Sequence, residues 1–471
     1  MKILLVVPPN SLAERYGKLQ GVGTTYPSLG LAAIGAVAEA GDHEVRLIDC
    51  EAAGLTHNDL EEKIRAYQPQ IIGLQTFCNT IGRTLEISKR VKENISTDIK
   101  VIFGGVQATF FPKEYIADKN VDFVVVGEGE IIFKNLLDAL EKNSTDFSHI
   151  NGLVWKKNGQ IVVNPPEKLI ENLDILPFPA RHLFDWKLYH SSAQLRGKKT
   201  SLIITSRGCP YNCGFCFSHK TFGRTYRYMS SGRVIEEIKF LKEKYNVDGL
   251  QFYDDTLTFN KARITELCDL MIAEKINLPW SCFTRVDCVT EELLKKMKAA
   301  GCYQIFYGVE AGNQRLLNLM SKGITIEQIK NAFSWTNNAG IEALASFIIG
   351  LPTETKEEAR DSVKLAKEIE AAYAHWELFT PYPGTNLYKI ALEYGRLLTT
   401  DLSKYSPWRD EPVYLPYGRT TEELKETKQW IYRQFYLRPF FFIRLIRSLL
   451  NLPFGRIVKL IHGGLIMTFR K

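Results

Sequence analysis

The stretch Thr205-Ser-Arg-Gly-Cys209-Pro-Tyr-Asn-Cys213-Gly-Phe-Cys216-Phe-Ser-His219 brings three cysteines close together in the chain. Three thiolates in this spacing can surround one 4Fe–4S cluster and ligate three of its irons, which leaves the fourth iron free to bind another molecule. The alternative is a structural zinc site, which needs a fourth ligand that His219 could supply. Such sites usually pair two short ligand hairpins, and no second Cys-x-x-Cys occurs in the sequence. The spacing therefore favours an iron–sulfur cluster.

The composition indicates a multi-domain protein with large packed cores. The chain has 471 residues, of which 45% are hydrophobic and 11% aromatic, and this length suggests about two to four domains. We expect no cleavable signal peptide at the N-terminus and no spanning helix, because no long uninterrupted apolar run occurs. The nine cysteines are an odd number, which fits a reducing cytoplasm better than a disulfide framework.

The net charge of +7 is concentrated in the tail. No acidic residue follows Ile431, whereas the basic residues there are Arg433, Arg438, Arg444, Arg447, Arg456, Lys459, Arg470 and Lys471. The rest of the chain is therefore close to neutral, and a basic groove for nucleic acid is not predicted.

The first third of the chain alternates short apolar runs with helical patterns. The expected strands are residues 2–7, 44–49, 71–74, 100–103 and 123–126, and the expected helices are residues 29–40, 59–67, 84–93 and 130–141. Continuous apolar runs are typical of strands that are buried on both faces. The alternation predicts a doubly wound parallel sheet, which would bind a ligand at the carboxyl ends of its strands.

The residues at those carboxyl ends are small or polar. Thr76 follows the third strand, Gly104 and Gly105 follow the fourth, and Gly127-Glu-Gly-Glu130 follows the fifth. The glycines allow a bulky ligand to approach the backbone closely. No Gly-x-Gly-x-x-Gly follows the first strand, so a dinucleotide is disfavoured. A flavodoxin-like receiver or a purely structural domain remains open at this point.

A junction separates this domain from the second half. Residues 151–164 read as a hairpin around the turn Asn158-Gly159, and prolines interrupt regular structure from Pro165 to Pro179. We expect the domains to span residues 1–145, 146–200 for hairpin and linker, 201–397 and 398–471.

The third segment, residues 201–397, repeats strands and helices and predicts an open barrel of parallel strands. The expected strands are residues 202–205, 250–253, 280–283, 304–307, 344–349 and 375–379, and the expected helices are residues 232–245, 261–273, 291–300, 326–338 and 357–369. Polar or glycine residues follow the strands, where barrels collect their chemistry: Cys209–Cys216, Asp254, Asp255, Arg285 with Asp287, Glu310 and Gly350. A salt-bridge network at the barrel rim is the alternative for Arg285, Asp287 and Glu310.

Four further cysteines and two tyrosines lie near these positions. Cys268, Cys282, Cys288 and Cys302 lack cluster spacing and are expected to be core or near-core thiols. Tyr253 and Tyr382 face the substrate or simply pack.

The last segment, residues 398–471, is predicted to be helical and basic. The sequence from Phe435 to Arg447 mixes large apolar residues with arginines, a pattern that suits a helix lying in a membrane interface. The alternative is a helix that caps the barrel and exposes its arginines to water.

The cysteine motif, with Phe215 before the last cysteine, resembles the signature of radical S-adenosylmethionine (SAM) enzymes. The resemblance implies that Cys209, Cys213 and Cys216 hold the cluster, that its open iron chelates SAM, and that one electron then yields a 5′-deoxyadenosyl radical. It also implies roles at the barrel mouth: Glu310 for the ribose or amino group of SAM, Arg285 for its carboxylate, Asp254 and Asp255 for its methionine end, and Gly350 for adenine.

The first domain resembles the cobalamin-binding domain that precedes the cluster domain in many such enzymes. The resemblance rests on Pro8-Pro9, Tyr26–Leu31, Gly104-Gly105 and Val126–Glu130. It implies cobalamin contacts from Thr76, Gly104, Gly105, Gln107, Gly127, Glu128 and Gly129. The sequence departs from relatives in two ways: it lacks Asp-x-His-x-x-Gly, and Gln107 stands where many carry histidine.

Together the two resemblances imply a cobalamin-dependent radical SAM enzyme that methylates an unactivated carbon of a small-molecule or lipid-like substrate. The alternatives are ring formation or oxidation with the same cofactors, and a non-catalytic iron–sulfur sensor or scaffold. The implied cofactors are a 4Fe–4S cluster, SAM and cobalamin, and the implied partner is a reductant such as flavodoxin or ferredoxin. We expect a cytoplasmic protein that can also contact the membrane through its tail.

Overall fold

The N-terminal part of the protein is built on one seven-stranded sheet. The computed structural model describes residues 1–17, 24–190, 192, 195–406, 408–409, 411–438 and 458. The strand order is β2-β1-β3-β4-β5-β6-β7, with β1 (Lys2–Val7), β2 (Glu44–Asp49), β3 (Ile71–Gln75), β4 (Lys100–Gly104), β5 (Phe123–Val125), β6 (Leu153–Lys157) and β7 (Gln160–Val163).

The first five strands are parallel and helices cover both faces, as predicted for a doubly wound domain. Alternate residues of β1 enter different cores: Leu4 and Val6 pack on one face, and Ile3 and Leu5 on the other. The helices are α1 (Leu12–Tyr16), α2 (Leu29–Glu39), α3 (Cys50–Ala53), α4 (His57–Tyr67), α5 (Ile81–Arg90), α6 (Val106–Phe110), α7 (Pro112–Ile116) and α8 (Gly129–Glu141).

The hairpin predicted in the junction forms, but it belongs to the N-terminal sheet. Strand β6 pairs antiparallel with β5, and β7 pairs antiparallel with β6. Asn158 and Gly159 have φ angles of 52° and 79°, which suits a tight two-residue turn with both residues left-handed. The indole of Trp155 is buried and donates to the Asn164 side chain. The hairpin therefore extends the sheet and does not act as a free linker.

The second half contains six parallel strands in the order β15-β14-β13-β12-β11-β8, an open barrel as predicted. The strands are β8 (Thr200–Ile203), β11 (Gly249–Phe252), β12 (Trp280–Thr284), β13 (Cys302–Glu310), β14 (Glu342–Ile349) and β15 (Tyr373–Leu378), and a short ribbon of β9 (Ser206–Arg207) and β10 (Arg227–Tyr228) follows β8. The helices are α9 (Ser218–Thr221), α10 (Ser231–Tyr245), α11 (Lys261–Ala273), α12 (Glu291–Ala299), α13 (Gln314–Leu319), α14 (Ile326–Asn338), α15 (Lys356–Glu368) and α16 (Asn386–Tyr394).

The C-terminal segment starts with a ribbon that the sequence did not predict, formed by β16 (Gly395–Leu397) and β17 (Tyr414–Pro416). Helix α17 (Thr421–Tyr436) then packs against the last barrel strand, where the rings of Tyr432 and Phe435 lie 5.4 and 5.3 Å from that of Trp376. This packing supports the capping alternative as far as Phe435. Most of the expected interfacial helix, residues 439–447, lies outside the described residues. Among the described helices, none is long and apolar enough to cross a membrane.

The two sheets meet at the carboxyl ends of their strands. Phe110, at the end of α6 in the N-terminal domain, contacts Phe217 of the cysteine stretch edge to face, with ring centroids 4.7 Å apart. Two ion pairs join the same edges: Arg227 with Glu128 at 2.8 Å, and Arg207 with Glu130 at 2.5 Å. The ends of β4 and β5 therefore lie over the barrel mouth.

Candidate active site between two strand edges

The three cysteines lie on a loop between β9 and α9 that backbone contacts hold in place. Gly208 has a φ of 85°, and a Cβ there would collide with the carbonyl oxygen of Thr225. Further along, Gly214 donates its N–H to the Met320 carbonyl at 2.8 Å and accepts from the Leu387 N–H at 2.7 Å. The backbone angle at Gly208 and its close approach to Thr225 therefore require glycine. The two hydrogen bonds of Gly214 tie the loop to Met320 and Leu387, later in the barrel.

Hydrogen-bond donors surround the sulfur atoms. The Arg285 Nη1 lies 3.6 Å from the Cys213 Sγ, and the Ser218 N–H donates to the Cys216 Sγ at 3.4 Å. The Cys209 Sγ lies 3.9 Å from the Thr256 Oγ1. Donors aimed at sulfur stabilise thiolates, so the loop fits an anionic iron–sulfur cluster. Burial raises the pKa of Cys216 to about 12, so binding iron there would release a proton.

The zinc alternative requires at least three ligand side chains arranged round one metal ion. Among the residues that the structure describes, which include His219, no three histidine, cysteine, aspartate or glutamate side chains are arranged to hold a single metal ion. The other cysteines of the barrel, Cys268, Cys282, Cys288 and Cys302, are buried as predicted.

Arg285 is held in place from three sides. Its guanidinium forms two hydrogen bonds to Asp287, at 2.9 and 3.0 Å, and donates to the Lys322 carbonyl at 2.8 Å. It also stacks on the Tyr211 ring at 3.5 Å. Burial alone would lower the pKa of Arg285, but the Asp287 carboxylate raises it above its usual value. The rim ion pair therefore forms, and a carboxylate ligand would have to share this guanidinium.

Glu310 ends β13 in an unusual backbone conformation. Its φ is 70°, and the pairing with β14 shifts register between Gly308 and Glu310. The carboxylate forms an ion pair with the Lys322 Nζ at 2.7 Å, and both side chains are less than 10% exposed. A left-handed residue other than glycine is costly and is often kept for function. The expected contact of Glu310 with SAM stays a prediction.

The neighbouring carboxylates Asp254 and Asp255 have different environments. Asp254 is only 2% exposed, and its Oδ1 accepts from the Thr205 N–H at 2.9 Å, the Thr205 hydroxyl at 3.0 Å and the Ser206 hydroxyl. Asp254 therefore braces the chain that leads into the cysteine loop and is not exposed to a ligand in this structure. Asp255 is exposed and accepts from the Ser218 hydroxyl beside the loop. Of the two, Asp255 is the exposed carboxylate, and its expected contact with SAM stays a prediction.

Gly350 begins the loop after β14 with a φ of 79°. Its N–H donates to the buried Glu354 carboxyl, and burial raises the pKa of Glu354 to about 8. The N–H of Gly350 is therefore already used, so a contact with adenine would have to involve other atoms of this loop.

In the N-terminal domain, two of the seven predicted residues border open space. A Cβ added at Gly104 or Gly127 would meet no atom within 4 Å. Gly105, with a φ of 102°, packs against Thr76, whose hydroxyl donates to the Gly104 carbonyl at 2.8 Å. Thr76 and Gly105 therefore shape this edge. An open edge lined by glycine fits a broad, flat ligand such as cobalamin.

The remaining three predicted residues, Gln107, Gly129 and Glu128, make contacts within the protein. Gln107 is buried and donates to the Tyr115 hydroxyl at 2.8 Å. A Cβ at Gly129 would lie 2.9 Å from Ile34, so this glycine allows close packing. The Glu128 carboxylate accepts from Arg227 and from the Ile170 N–H at 2.9 Å. Glu128 therefore joins the two halves of the protein, and its expected contact with cobalamin stays a prediction.

Sequence reasoning missed the partners of these groups. Arg207, Arg227 and Lys322 hold Glu130, Glu128 and Glu310 across long separations in the chain. Arg207 directly precedes the cysteine loop, so its position in the sequence could have marked it as a residue near the site. No local pattern marks Arg227 or Lys322.

Comparison with known families separates the chain into the same two parts. The radical SAM superfamily matches residues 203–366, and the B12 binding domain family matches residues 19–137. The first covers the cysteine loop and the strands up to β14, and the second covers Gly104 and Gly127.

Individual proteins resemble the chain over most of its length. An uncharacterized methyltransferase of Pyrococcus horikoshii, PH0819, is 36% identical over 470 residues, which is 100% of this chain and 99% of that protein. The anaerobic magnesium-protoporphyrin IX monomethyl ester cyclase of Rubrivivax gelatinosus is 29% identical, over 89% of this chain and 75% of that protein.

A solved structure shares the fold. The radical S-adenosylmethionine methyltransferase TsrM of Kitasatospora setae, with cobalamin and a 4Fe–4S cluster bound, superposes with a TM-score of 0.71 at 17% identity, over 93% of this chain and 89% of that one. The predicted cofactors, a 4Fe–4S cluster, SAM and cobalamin, are therefore confirmed. The chain belongs to the family of cobalamin-dependent radical SAM enzymes, which includes methyltransferases and cyclases.

Proposed function

We propose that the enzyme methylates an unactivated carbon of a small molecule held between its two strand edges. The observation that carries this proposal is the contact between the edges: the cysteine loop and the α6 end meet at Phe217 and Phe110, 4.7 Å apart. A molecule in the barrel mouth would therefore lie near both the cysteine loop and the open edge at Gly104 and Gly127, which we call the glycine edge. This closeness is what a reaction shared by two cofactors requires.

A cluster held by Cys209, Cys213 and Cys216 would supply the electron that cleaves one SAM to methionine and a hydrogen-abstracting adenosyl fragment, and cobalamin would deliver a methyl group that it receives from a second SAM. The protein supplies position. Arg285, fixed by Asp287, would share its guanidinium with the SAM carboxylate. Glu310 and Asp255 would accept from the amino and hydroxyl groups of SAM.

The glycine edge would recognise cobalamin by its shape more than by its charge. Gly104 and Gly127 leave room for the cobalamin ring to approach the backbone, and Thr76 keeps the intervening loop in its open form. The ion pairs of Glu128 and Glu130 hold this edge at a constant distance from the barrel. Cobalamin would therefore be positioned by steric fit and domain placement.

A second candidate function keeps both cofactors but closes a ring or oxidises the substrate. The similarity to the cyclase of Rubrivivax gelatinosus favours it, whereas the stronger similarity to PH0819, over the whole chain, favours methyl transfer. A sensor or scaffold would need no SAM cleavage, so formation of 5′-deoxyadenosine separates it from both enzymes.

The test is an anaerobic incubation of the loaded enzyme with reductant, cell extract and SAM that carries a labelled methyl group. Methylation predicts 5′-deoxyadenosine and a product that gains the labelled methyl. Ring formation or oxidation predicts 5′-deoxyadenosine with an unlabelled product. No 5′-deoxyadenosine at all would contradict both enzymatic functions.

The proposal extends to the surroundings of the enzyme: a cytoplasmic location, electrons from flavodoxin or ferredoxin, and contact of the basic tail with anionic lipid. The acid-free sequence after Ile431 supports the lipid contact, since each basic residue near such a surface contributes about 1 kcal/mol. Co-sedimentation with anionic but not neutral vesicles at low salt would support it. Equal binding to both vesicle types, or none, would contradict it.

A further inference from the structure

The inner wall of the barrel is a row of aromatic rings. Tyr253 and Phe283 lie 5.1 Å apart, Phe283 and Phe306 stack at 4.9 Å, and Phe306 and His375 lie nearly parallel at 6.4 Å. The rings come from β12, β13, β15 and the end of β11. Tyr26 and Trp408 extend the row at its two ends, 6.2 Å from Tyr253 and 6.0 Å from His375. The wall therefore runs across most of the barrel.

Strand alternation shows that these rings face inward. The neighbours that point the other way, among them Cys282, Ile305 and Trp376, are buried in the core between strands and helices. Phe283, Phe306 and His375 are only half-buried. The inner row therefore borders a space and not the packed core.

The space bears two groups whose pKa values are shifted by desolvation. Tyr253 exposes 45% of its surface, yet desolvation raises the pKa of its phenol. Poor hydration of an exposed ring is what a recess screened from bulk water would produce. The same combination holds for His375, which is half-buried and whose pKa is lowered to about 4 by burial.

One end of the wall carries two polar side chains that lack a hydrogen-bond partner among the described residues. His375 and Glu377 lie two residues apart on β15 and so share its inner face, and among the described residues neither side chain has a hydrogen-bond partner. Burial, and then the charge of Glu310, raises the pKa of Glu377 to about 7, while Lys428 opposes this. A half-buried carboxyl group without a partner is costly, which points to a ligand that supplies one.

We propose that the substrate is a flat, conjugated ring system carrying an ammonium or N–H donor, stacked along Phe283 and Phe306 with the donor at Glu377 and His375. The inference rests on the proposed function and specifies its substrate class. Stacking on aromatic rings selects flat, conjugated molecules over saturated ones of equal size. Ionised Glu377 only accepts hydrogen bonds, and neutral His375 can accept at one ring nitrogen, so this end of the wall favours a donor over a second carboxylate. A flexible aliphatic lipid would use neither feature.

The test is a calorimetric titration of the loaded enzyme, without reductant, with three probes: 1-naphthylmethylamine, its saturated decahydro analogue and 1-naphthoate. We expect the naphthylamine to bind about tenfold tighter than the saturated amine and the carboxylate to bind weakest. Phe306→Leu should remove the preference for the flat amine. Glu377→Gln should weaken the naphthylamine about tenfold.

Matched controls lie outside the barrel. Phe240→Leu removes a ring that stacks on Phe178 at 5.3 Å on the outer surface, and Glu274→Gln removes an exposed partner of Lys239. Both should bind the probes like the unaltered enzyme. Equal affinity for the flat and saturated amines, tighter binding of the carboxylate, or no binding of any probe would overturn the inference. Because the titration needs no turnover, its failure is distinct from a failure of methyl transfer.

Discussion

The N-terminal sheet and the barrel both direct the carboxyl ends of parallel strands into the same space, but with different chemistry. The barrel edge carries charged groups in fixed pairs, such as Arg285 with Asp287 and Glu310 with Lys322. The N-terminal edge presents open glycines, Gly104 and Gly127. Its acidic residues instead bind Arg207 and Arg227 of the barrel.

The difference fits our proposal that the two edges hold their cofactors in different ways. Charged pairs suit SAM, because its amino, carboxylate and hydroxyl groups need partners at defined positions. Backbone and empty space suit cobalamin, because a broad ring needs clearance more than contacts. Substitutions should therefore act differently at the two edges: removal of a side chain damages the barrel edge, and addition of one damages the glycine edge.

The largest effect is expected at the barrel edge from Cys216→Ala. Removing one of three thiolates destabilises the cluster, so reductive SAM cleavage should fall below detection. The measurement is iron content and 5′-deoxyadenosine after anaerobic reconstitution. Cys268→Ala is the control: that thiol is buried in the barrel core, so the variant should lose about 1 kcal/mol of stability and keep its cluster. Unaltered SAM cleavage by Cys216→Ala would contradict the assignment.

At the glycine edge, Gly104→Leu should weaken cobalamin about 100-fold, or ~2.7 kcal/mol. The added side chain has room in the protein, so the loss would come from the ligand's own space. Bound cobalt after reconstitution is the measurement, with Gly232→Leu on α10, where a side chain also meets open space, as the control. Full cobalt in Gly104→Leu would place cobalamin elsewhere.

The ion pair between Arg227 and Glu128, which joins the two edges, should contribute to the stability of the fold. Arg227→Met leaves the Glu128 carboxylate buried without its nearest cation, and we expect the free energy of unfolding to fall by about 3 kcal/mol. The double variant with Glu128→Gln should recover part of this loss. Urea denaturation is the measurement, and Lys239→Met, which breaks an exposed pair, should cost less than about 1 kcal/mol. Similar losses of stability in Arg227→Met and Lys239→Met would show that the buried ion pair contributes no more than an exposed one.

The smallest effect is expected from pH at the inner wall. The pKa of Glu377 is about 7, so its charge appears as pH rises through neutrality, while His375 is already neutral because its pKa is about 4. Binding of 1-naphthylmethylamine should therefore strengthen about tenfold between about pH 6 and 8. Glu377→Gln should abolish this dependence. A profile that is unchanged in the variant would show that Glu377 is not the titrating group.

The barrel could be predicted closely from sequence because its strands are continuous apolar runs and its helices are amphipathic. Helices α11 and α14 have the predicted limits, 261–273 and 326–338. The ribbon of β9 and β10 could not be predicted, because two residues per strand leave no periodicity to detect. Strands β16 and β17, with three residues each, are also too short to show a period.

The site was predicted less completely, for a physical reason. Chain position places a residue at a strand end but does not say which way its side chain turns. Asp254 and Asp255 are adjacent, yet one turns into the protein towards Thr205 and the other towards the cysteine loop. Glu128 likewise lies at the predicted edge, but its partner Arg227 is distant in the sequence.

The central claim is that both edges act on one substrate, and methyl transfer by the enzyme with and without cobalamin tests it most directly. Protein reconstituted with its cluster alone and protein loaded with cluster and cobalamin would each receive reductant, cell extract and SAM labelled in its methyl group. The account predicts a labelled product only from the cobalamin-loaded enzyme. An equal yield of labelled product from cobalt-free protein would contradict it.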